Sequence, residues 1–140
     1  MIALSLSFLV TAPFGVRADD QDVIDYREHV MKTMGEQAAA IGMILEQRAP
    51  ATNFATHIRI LAITASTAKK AFEPQVVGGQ AKPAIWSQWA DFAKRLDTLA
   101  AVTRELAEAA KSGGLAAVGT KIESELACKS CHETYRLERK

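Results

Sequence analysis

The stretch from Leu115 to His132, LAAVGTKIESELACKSCH, combines a helical hydrophobic pattern with a Cys-x-x-Cys-His motif. Its apolar residues recur at steps of three and four, the spacing of one face of an α-helix. They are Leu115, Val118, Ile122 and Leu126. If the helix continues through Cys128, Cys131 and His132, these side chains lie at i, i+3 and i+4 and share a face. One helix face therefore carries two thiols and an imidazole.

The Cys-x-x-Cys-His pattern is typical of the attachment of c-type haem. The thiols of Cys128 and Cys131 can each bond one vinyl group of the porphyrin. The adjacent His132 then lies under the iron as an axial ligand. We therefore predict one haem c, attached covalently to the last helix.

Three other uses of the two cysteines agree less well with the sequence. A thioredoxin-like redox pair would stand in a βαβ pattern, which is missing, and would leave the histidine unexplained. A zinc site would need more ligands than the chain offers, since the remaining histidines are His29 and His57 and there is no third cysteine. A disulfide between cysteines one helical turn apart would close only a tiny loop.

Helical periodicity extends over nearly the whole chain, and no segment alternates with the period of a β-strand. The pattern predicts four amphipathic helices: about Gln21 to Gln47, about Phe54 to Phe72, from Pro83 to about Lys111, and from about Leu115 to near the end. Pro50, Pro74 with Gly78-Gly79, and Gly113-Gly114 separate them. Four such helices with mostly short loops predict an all-α, antiparallel up-down four-helix bundle, with the haem near one end.

Residues 1–18 are typical of a secretory signal. An apolar run from Ile2 to Val10 precedes the small-x-small pattern Val16-Arg17-Ala18, and the run is too short to span a bilayer. We predict that residues 1–18 are removed and that residues 19–140 form one periplasmic bundle domain. Export agrees with the motif, because bacteria attach c-type haem outside the cytoplasm.

The net charge carries little information about partners. The chain has 17 Lys and Arg against 16 Asp and Glu, and removal of Arg17 with the signal leaves 16 against 16. A neutral mature domain gives no reason to expect a nucleic acid or a membrane as partner. No Ser/His/Asp set or phosphate loop is visible, so we expect a protein that is not an enzyme. We expect its partners to be redox proteins, because a c-type haem can carry electrons.

A sixth iron ligand would come from the first helix. In an up-down bundle, the start of the first helix lies beside the end of the fourth. Met31 is ~15 Å into its helix and His132 is ~12 Å from the chain end, so the two are nearly level, whereas Met34 at ~20 Å is a turn deeper. Met31 is therefore the candidate thioether ligand. The alternative is that Met31 caps the pocket as an apolar lid and leaves the iron five-coordinate.

Further residues are candidates for the haem pocket. Arg27 lies one turn before Met31, where it either pairs with a haem propionate or extends to solvent at the bundle end. Gly35 either leaves room for the macrocycle or allows close helix packing. Met34, one turn deeper than Met31, and Arg136 on the proximal side are further pocket candidates. The last two are the aromatic residues Trp86 and Phe92 of the third helix, which contact either haem or core.

Together these residues resemble the class II c-type cytochromes, the cytochrome c′ family. The resemblance is carried by Tyr26-Arg27-x-x-x-Met31, Lys82-Pro83-x-Ile85-Trp86 and Cys128-x-x-Cys131-His132-x-x-Tyr135-Arg136. It implies a four-helix bundle, His132 as proximal ligand and a possible homodimer through the first two helices.

The resemblance also implies two branches of function. In one branch, a methionine at the position of Met31 ligates the iron and the protein carries single electrons. In the other, the haem is five-coordinate and binds nitric oxide or carbon monoxide, and some of its members have a methionine there without a bond. Met31 favours the electron carrier, whereas Arg136 resembles a proximal arginine of the gas-binding branch. Our leading expectation is the electron carrier, with gas binding as the alternative.

Overall fold

The computed structural model describes residues 18–138, without the side chains of residues 123–125. The predicted signal segment lies outside the described residues, apart from Ala18. The described elements are α1 Asp20–Leu45, a 3₁₀ turn Ala51–Asn53, α2 Phe54–Phe72, α3 Ala84–Ser87, α4 Trp89–Glu125 and α5 Cys128–Tyr135. No β-strand occurs in this part of the chain, and none of its helices is both long and apolar enough to cross a bilayer.

The predicted four-helix bundle is confirmed, with α1, α2 and the two halves of α4 as its long helices. Gly114 divides α4, because its φ of 59° and ψ of −149° are not helical. That conformation is essentially restricted to glycine. The chain therefore changes direction where the Gly113-Gly114 pair predicts the end of a helix.

The helices are antiparallel. A Cβ atom placed at Gly119, early in the second half of α4, would lie 3.7 Å from Leu45 Cδ2 at the end of α1. The start of α1 is therefore directed toward the end of α4 and toward α5. At that start Asp19 and Asp22 form a capping box, in which Asp19 Oδ1 accepts from Asp22 N at 2.9 Å.

The core fills the space between the long helices. Its almost completely buried members include Ile41 of α1, Phe54 and Ile58 of α2, and Val118 of α4. Removal of this apolar surface from water is the main stabilising contribution to such a bundle. The buried Thr103 donates its hydroxyl to Leu99 O at 2.7 Å, so its polar atom is satisfied within the helix.

The sequence predicts two uninterrupted helices that the structure breaks, and both predictions are wrong in that respect. Gln88, with φ −122° and ψ 37°, separates α3 from α4. At this break Trp86 Nε1 donates to Phe72 O at 2.9 Å, which holds α3 against the end of α2. A second break, at Leu126 and Ala127, makes α5 a separate two-turn helix.

The long loop after α2 connects the first helix to the last. Arg27 of α1 donates to the carbonyl oxygens of Val76 and Gly78, at 2.5 and 2.7 Å. Farther along, Lys82 N donates to Tyr135 O at 3.0 Å and Leu137 N donates to Gln80 O at 2.8 Å. The loop is therefore bonded on one side to α1 and on the other to the C-terminal segment.

Candidate haem-binding site

An open cleft of about 1030 Å³ lies between the start of α1, the start of α4 and α5. This volume is at the upper end of the range for cofactor sites, ~300–1,000 Å³. Of the residues that the sequence nominates, those that line the cleft are Arg27, Met31, Met34, Gly35, Phe92, Cys128, Cys131, His132 and Arg136. The structure thus brings together residues from both ends of the chain.

Both thiols lie at this cleft on α5. Cys128 is exposed at the rim and Cys131 is half-buried, and both are free. Burial raises the pKa of the Cys131 thiol, so the side chain is protonated at neutral pH. Two free thiols one turn apart on one wall of a large cleft suit attachment of a broad ligand at two points.

His132 follows the second thiol and is half-buried in the same wall. Burial is the main cause that lowers the pKa of its imidazole, and the positive charge of Arg136 lowers the pKa further. The imidazole is therefore neutral at pH 7 and keeps a lone pair, as an iron ligand requires. The part of the chain that the structure describes has no cluster of three His, Cys, Asp or Glu side chains that could hold a bare metal ion.

The opposite wall belongs to α1. Met31 and Met34 both line the cleft from this wall, but Met34 is buried and belongs to the core, whereas Met31 is half-buried. A Cβ atom placed at Gly35 would meet no protein atom within 4 Å. Close packing against another helix therefore does not require glycine at this position.

Arg27 does not extend to solvent, because it is only 1% exposed. Its guanidinium is bound to the carbonyls of Val76 and Gly78 and lies 5.2 Å from the ring centre of Trp86 and 5.8 Å from that of Phe72. Desolvation by burial lowers the pKa of Arg27 from its very high usual value. The charge at this position is thus used to hold the loop, a role that the sequence did not suggest.

The two nominated aromatic residues have different surroundings. Phe92 lines the cleft and packs edge-on against Phe72 and Tyr135, with ring centres 5.1 and 5.0 Å apart. Trp86 is not among the lining residues and lies against Arg27 on the core side. The break at Gln88 separates the helix that carries Trp86 from the helix that carries Phe92, which no pattern in the sequence indicates.

Sequence reasoning missed a polar network beside the thiols. Tyr135 donates its hydroxyl to Asp91 Oδ2 at 2.6 Å, and Arg95 Nε donates to the same oxygen at 2.7 Å. Asp91 and Arg95 are four residues apart on α4, a spacing that indicates an ion pair on a helix surface. Nothing in the sequence indicates that Tyr135 joins them, because its partner is 44 residues away.

Comparison with known proteins agrees with this arrangement. The family model described as Cytochrome C' matches residues 22–136. Cytochrome c′ of Rhodospirillum rubrum is 29% identical over 99% of this chain and 97% of its own length. Cytochrome c-556 of Agrobacterium tumefaciens is also 29% identical, over 83% of this chain and 98% of its own.

Solved structures of cytochrome c prime from Alcaligenes xylosoxidans have the same architecture. A nitric oxide complex of a point mutant superposes with a TM-score of 0.78, at 26% identity over 88% of this chain and 100% of that chain. A carbon monoxide complex of another variant gives 0.77, at 27% identity over 86% and 98%. Sequence and structure lead to one conclusion: this chain belongs to the cytochrome c′ family, whose members bind one covalently attached haem c.

Proposed function

We propose that this chain binds nitric oxide or carbon monoxide at a haem c for which His132 is the single axial ligand from the protein. The observation that carries the proposal is the cleft itself, with two thiols and a neutral imidazole on one wall and Met31, Met34 and Gly35 of α1 on the other. The gas complexes of the Alcaligenes protein, which superposes over most of this chain, support the same assignment.

In this proposal the residues of α5 hold the cofactor. Cys128 and Cys131 form the two thioether bonds, and His132 offers its neutral imidazole nitrogen to the iron. The haem, once bound, supplies an iron that changes its oxidation state and accepts a diatomic ligand. Arg136, next to His132 in the lining, adds positive charge on the proximal side.

The side chains of α1 determine which ligands can reach the side of the haem opposite His132. Met31 presents an apolar side chain to the cleft, and Gly35 leaves the space beside it free of protein atoms. Met31 and Gly35 offer no side-chain hydrogen bond donor to water or to a charged ligand, whereas a small, nearly apolar gas needs none. These residues therefore favour a diatomic ligand.

A second candidate function is electron transfer with Met31 as the sixth ligand. Both Met31 and Met34 line the cleft, but only Met31 is half-buried rather than packed in the core, which favours Met31 as the ligand. His/Met ligation is typical of electron-carrying cytochromes. The two functions differ in one property, which is the presence of a bond between sulfur and iron.

Absorption spectra of the ferric protein and of the variant Met31→Leu separate the two candidates. Gas binding predicts a high-spin spectrum, unchanged by Met31→Leu, and formation of a carbon monoxide complex on reduction. Met43→Leu is the matched control, because Met43 is 40% exposed and does not line the cleft. A low-spin spectrum that Met31→Leu converts to high spin would overturn gas binding in favour of the electron carrier.

We also propose that the mature protein is periplasmic and begins near Asp19. The capping box formed by Asp19 and Asp22 supports this, since a chain that starts at Asp19 retains both side chains of the cap. Redox partners, and a second copy of the chain packed against α1 and α2, remain our expectation for its interactions. Mass spectrometry of the exported protein tests the cleavage site and the added haem mass together.

A further inference from the structure

The helix that carries the proposed haem attachment residues is short and has little stability of its own. α5 has eight residues, its N-cap residue Ala127 makes no side-chain cap bond, and Arg136 after it is extended. Helices of this length are unstable on their own in water. Contacts with the rest of the protein must therefore fix its position.

Tyr135 provides several of these contacts. Its side chain is 3% exposed, and its ring packs edge-on against Phe92 with the centres 5.0 Å apart. Its hydroxyl donates to Asp91 at 2.6 Å, and its carbonyl accepts from Lys82 N at 3.0 Å. The residue is thus held at its ring, its hydroxyl and its backbone.

Asp91 is itself held in place. Arg95 donates to the same carboxylate oxygen at 2.7 Å, and its guanidinium carbon lies 5.7 Å from the ring centre of Tyr135. Asp91 belongs to the first turn of α4, where a negative charge interacts favourably with the helix dipole. Hydrogen bonds from Tyr135 and then from Arg95 lower the pKa of Asp91, so the carboxylate accepts and the tyrosine donates.

Tyr135 shares a helix face with the site residues. It follows Cys131 by four residues and His132 by three, which places its side chain within ~60° of both around the helix axis. A rotation of α5 that moved the tyrosine hydroxyl would therefore move the imidazole and the thiol by the same angle. Functional groups must be held to within ~10–20° of their working direction.

We infer that Asp91 is a positioning residue, which fixes the rotation of α5 through the Tyr135 hydroxyl and thereby sets the direction of the His132 imidazole. This inference rests on the proposed attachment of haem at Cys128, Cys131 and His132. It assigns a role in the haem site to a side chain of α4 that does not belong to the attachment motif.

The test uses the complete haem protein and its Tyr135→Phe variant, with Asp91→Asn as a second variant. Proton NMR of the ferric protein reports the orientation of the axial imidazole through its paramagnetically shifted resonances, in either spin state. We expect both variants to shift and broaden the His132 resonances, and the double variant to show no more than the larger single effect. Tyr26→Phe and Asp97→Asn are matched controls, since Tyr26 is exposed and Asp97 pairs with Lys69 on the surface.

Unchanged His132 resonances in both folded variants would overturn the inference, as would equal shifts in the controls. If one variant fails to fold, the His132 resonances of the other variant still test the inference. Failure of the proposed haem attachment is recognised separately, because the wild-type protein would then lack the added haem mass and show no shifted resonances at all.

Discussion

Replacement of Arg27 by methionine removes a guanidinium that is almost completely buried, yet forms no salt bridge with any carboxylate that the structure describes in residues 18–138. Methionine keeps an unbranched side chain but donates no hydrogen bond. The carbonyls of Val76 and Gly78 would lose donors that now lie 2.5 and 2.7 Å away. The loop that joins α1 to the C-terminal segment would lose these two bonds to α1 and keep the one from Gln80 N to Glu28 Oε1, at 3.2 Å.

The expected loss of stability follows from these two bonds. A hydrogen bond from a charged group contributes ~1.5–3 kcal/mol, so the pair contributes ~3–6 kcal/mol before the cost of burying the cation is counted. The variant no longer pays the desolvation cost of a buried guanidinium, and this offsets part of the stability lost with the two hydrogen bonds. We expect Arg27→Met to lower the free energy of unfolding by ~3 kcal/mol, a large part of the ~5–15 kcal/mol of a typical domain.

Urea denaturation followed by circular dichroism measures this loss. Arg104→Met is the matched control, because Arg104 is an exposed residue of α4, and it should change stability by no more than ~0.5 kcal/mol. Arg27→Lys keeps the charge but lacks the fork that reaches two carbonyls, so its loss should be intermediate. A loss below ~1 kcal/mol for Arg27→Met, with unchanged amide exchange in the loop, would show that the two hydrogen bonds of Arg27 do not hold the loop.

Three more predictions concern single positions. Gly114→Ala should lower the free energy of unfolding by ~1–3 kcal/mol in urea denaturation, because alanine is strained at φ 59° and ψ −149°. Burial, and then the bond to Asp91, raise the pKa of Tyr135 from 10 to about 12. Its stabilisation is therefore fully present below about pH 10 and lost as the pH rises to about 12; thermal unfolding of wild type should show this loss and Tyr135→Phe should not. Gly35→Ala should change the haem spectrum, whereas Gly42→Ala, which is equally free of neighbours on α1, should only stabilise the helix by ~0.5–1 kcal/mol.

Local sequence patterns were sufficient to predict the long helices. The periodicity from Phe54 to Phe72 predicts α2 at its observed limits, and Gly113-Gly114 marks the turn within α4. These features depend on residues close in sequence, for which helical spacing and glycine conformation are reliable signals. The attachment motif likewise lies within five consecutive residues, and its side chains line the cleft together with those of α1.

The features that sequence did not reveal depend on distant partners. The break at Gln88 accompanies a bond from Trp86 to Phe72, and the surrounding residues have no helix-breaking character of their own. Arg27 has the charge expected for a propionate, but its partners are backbone carbonyls about 50 positions away, which carry no sequence signal. The hydrogen bond between Asp91 and Tyr135 likewise joins residues that are far apart in sequence.

The loop between Val76 and Lys82 constrains how the cleft can deform. It is bonded to α1 through Arg27 and to the C-terminal segment through Tyr135 and Leu137, so the two walls are joined along one edge. Widening of the cleft at that edge requires rupture of several hydrogen bonds, whereas the opposite edge has no such restraint from this loop. Thermal motion should therefore separate the two walls mainly at the edge remote from the loop, with the loop acting as a hinge. A flat molecule should enter the cleft more easily from that edge.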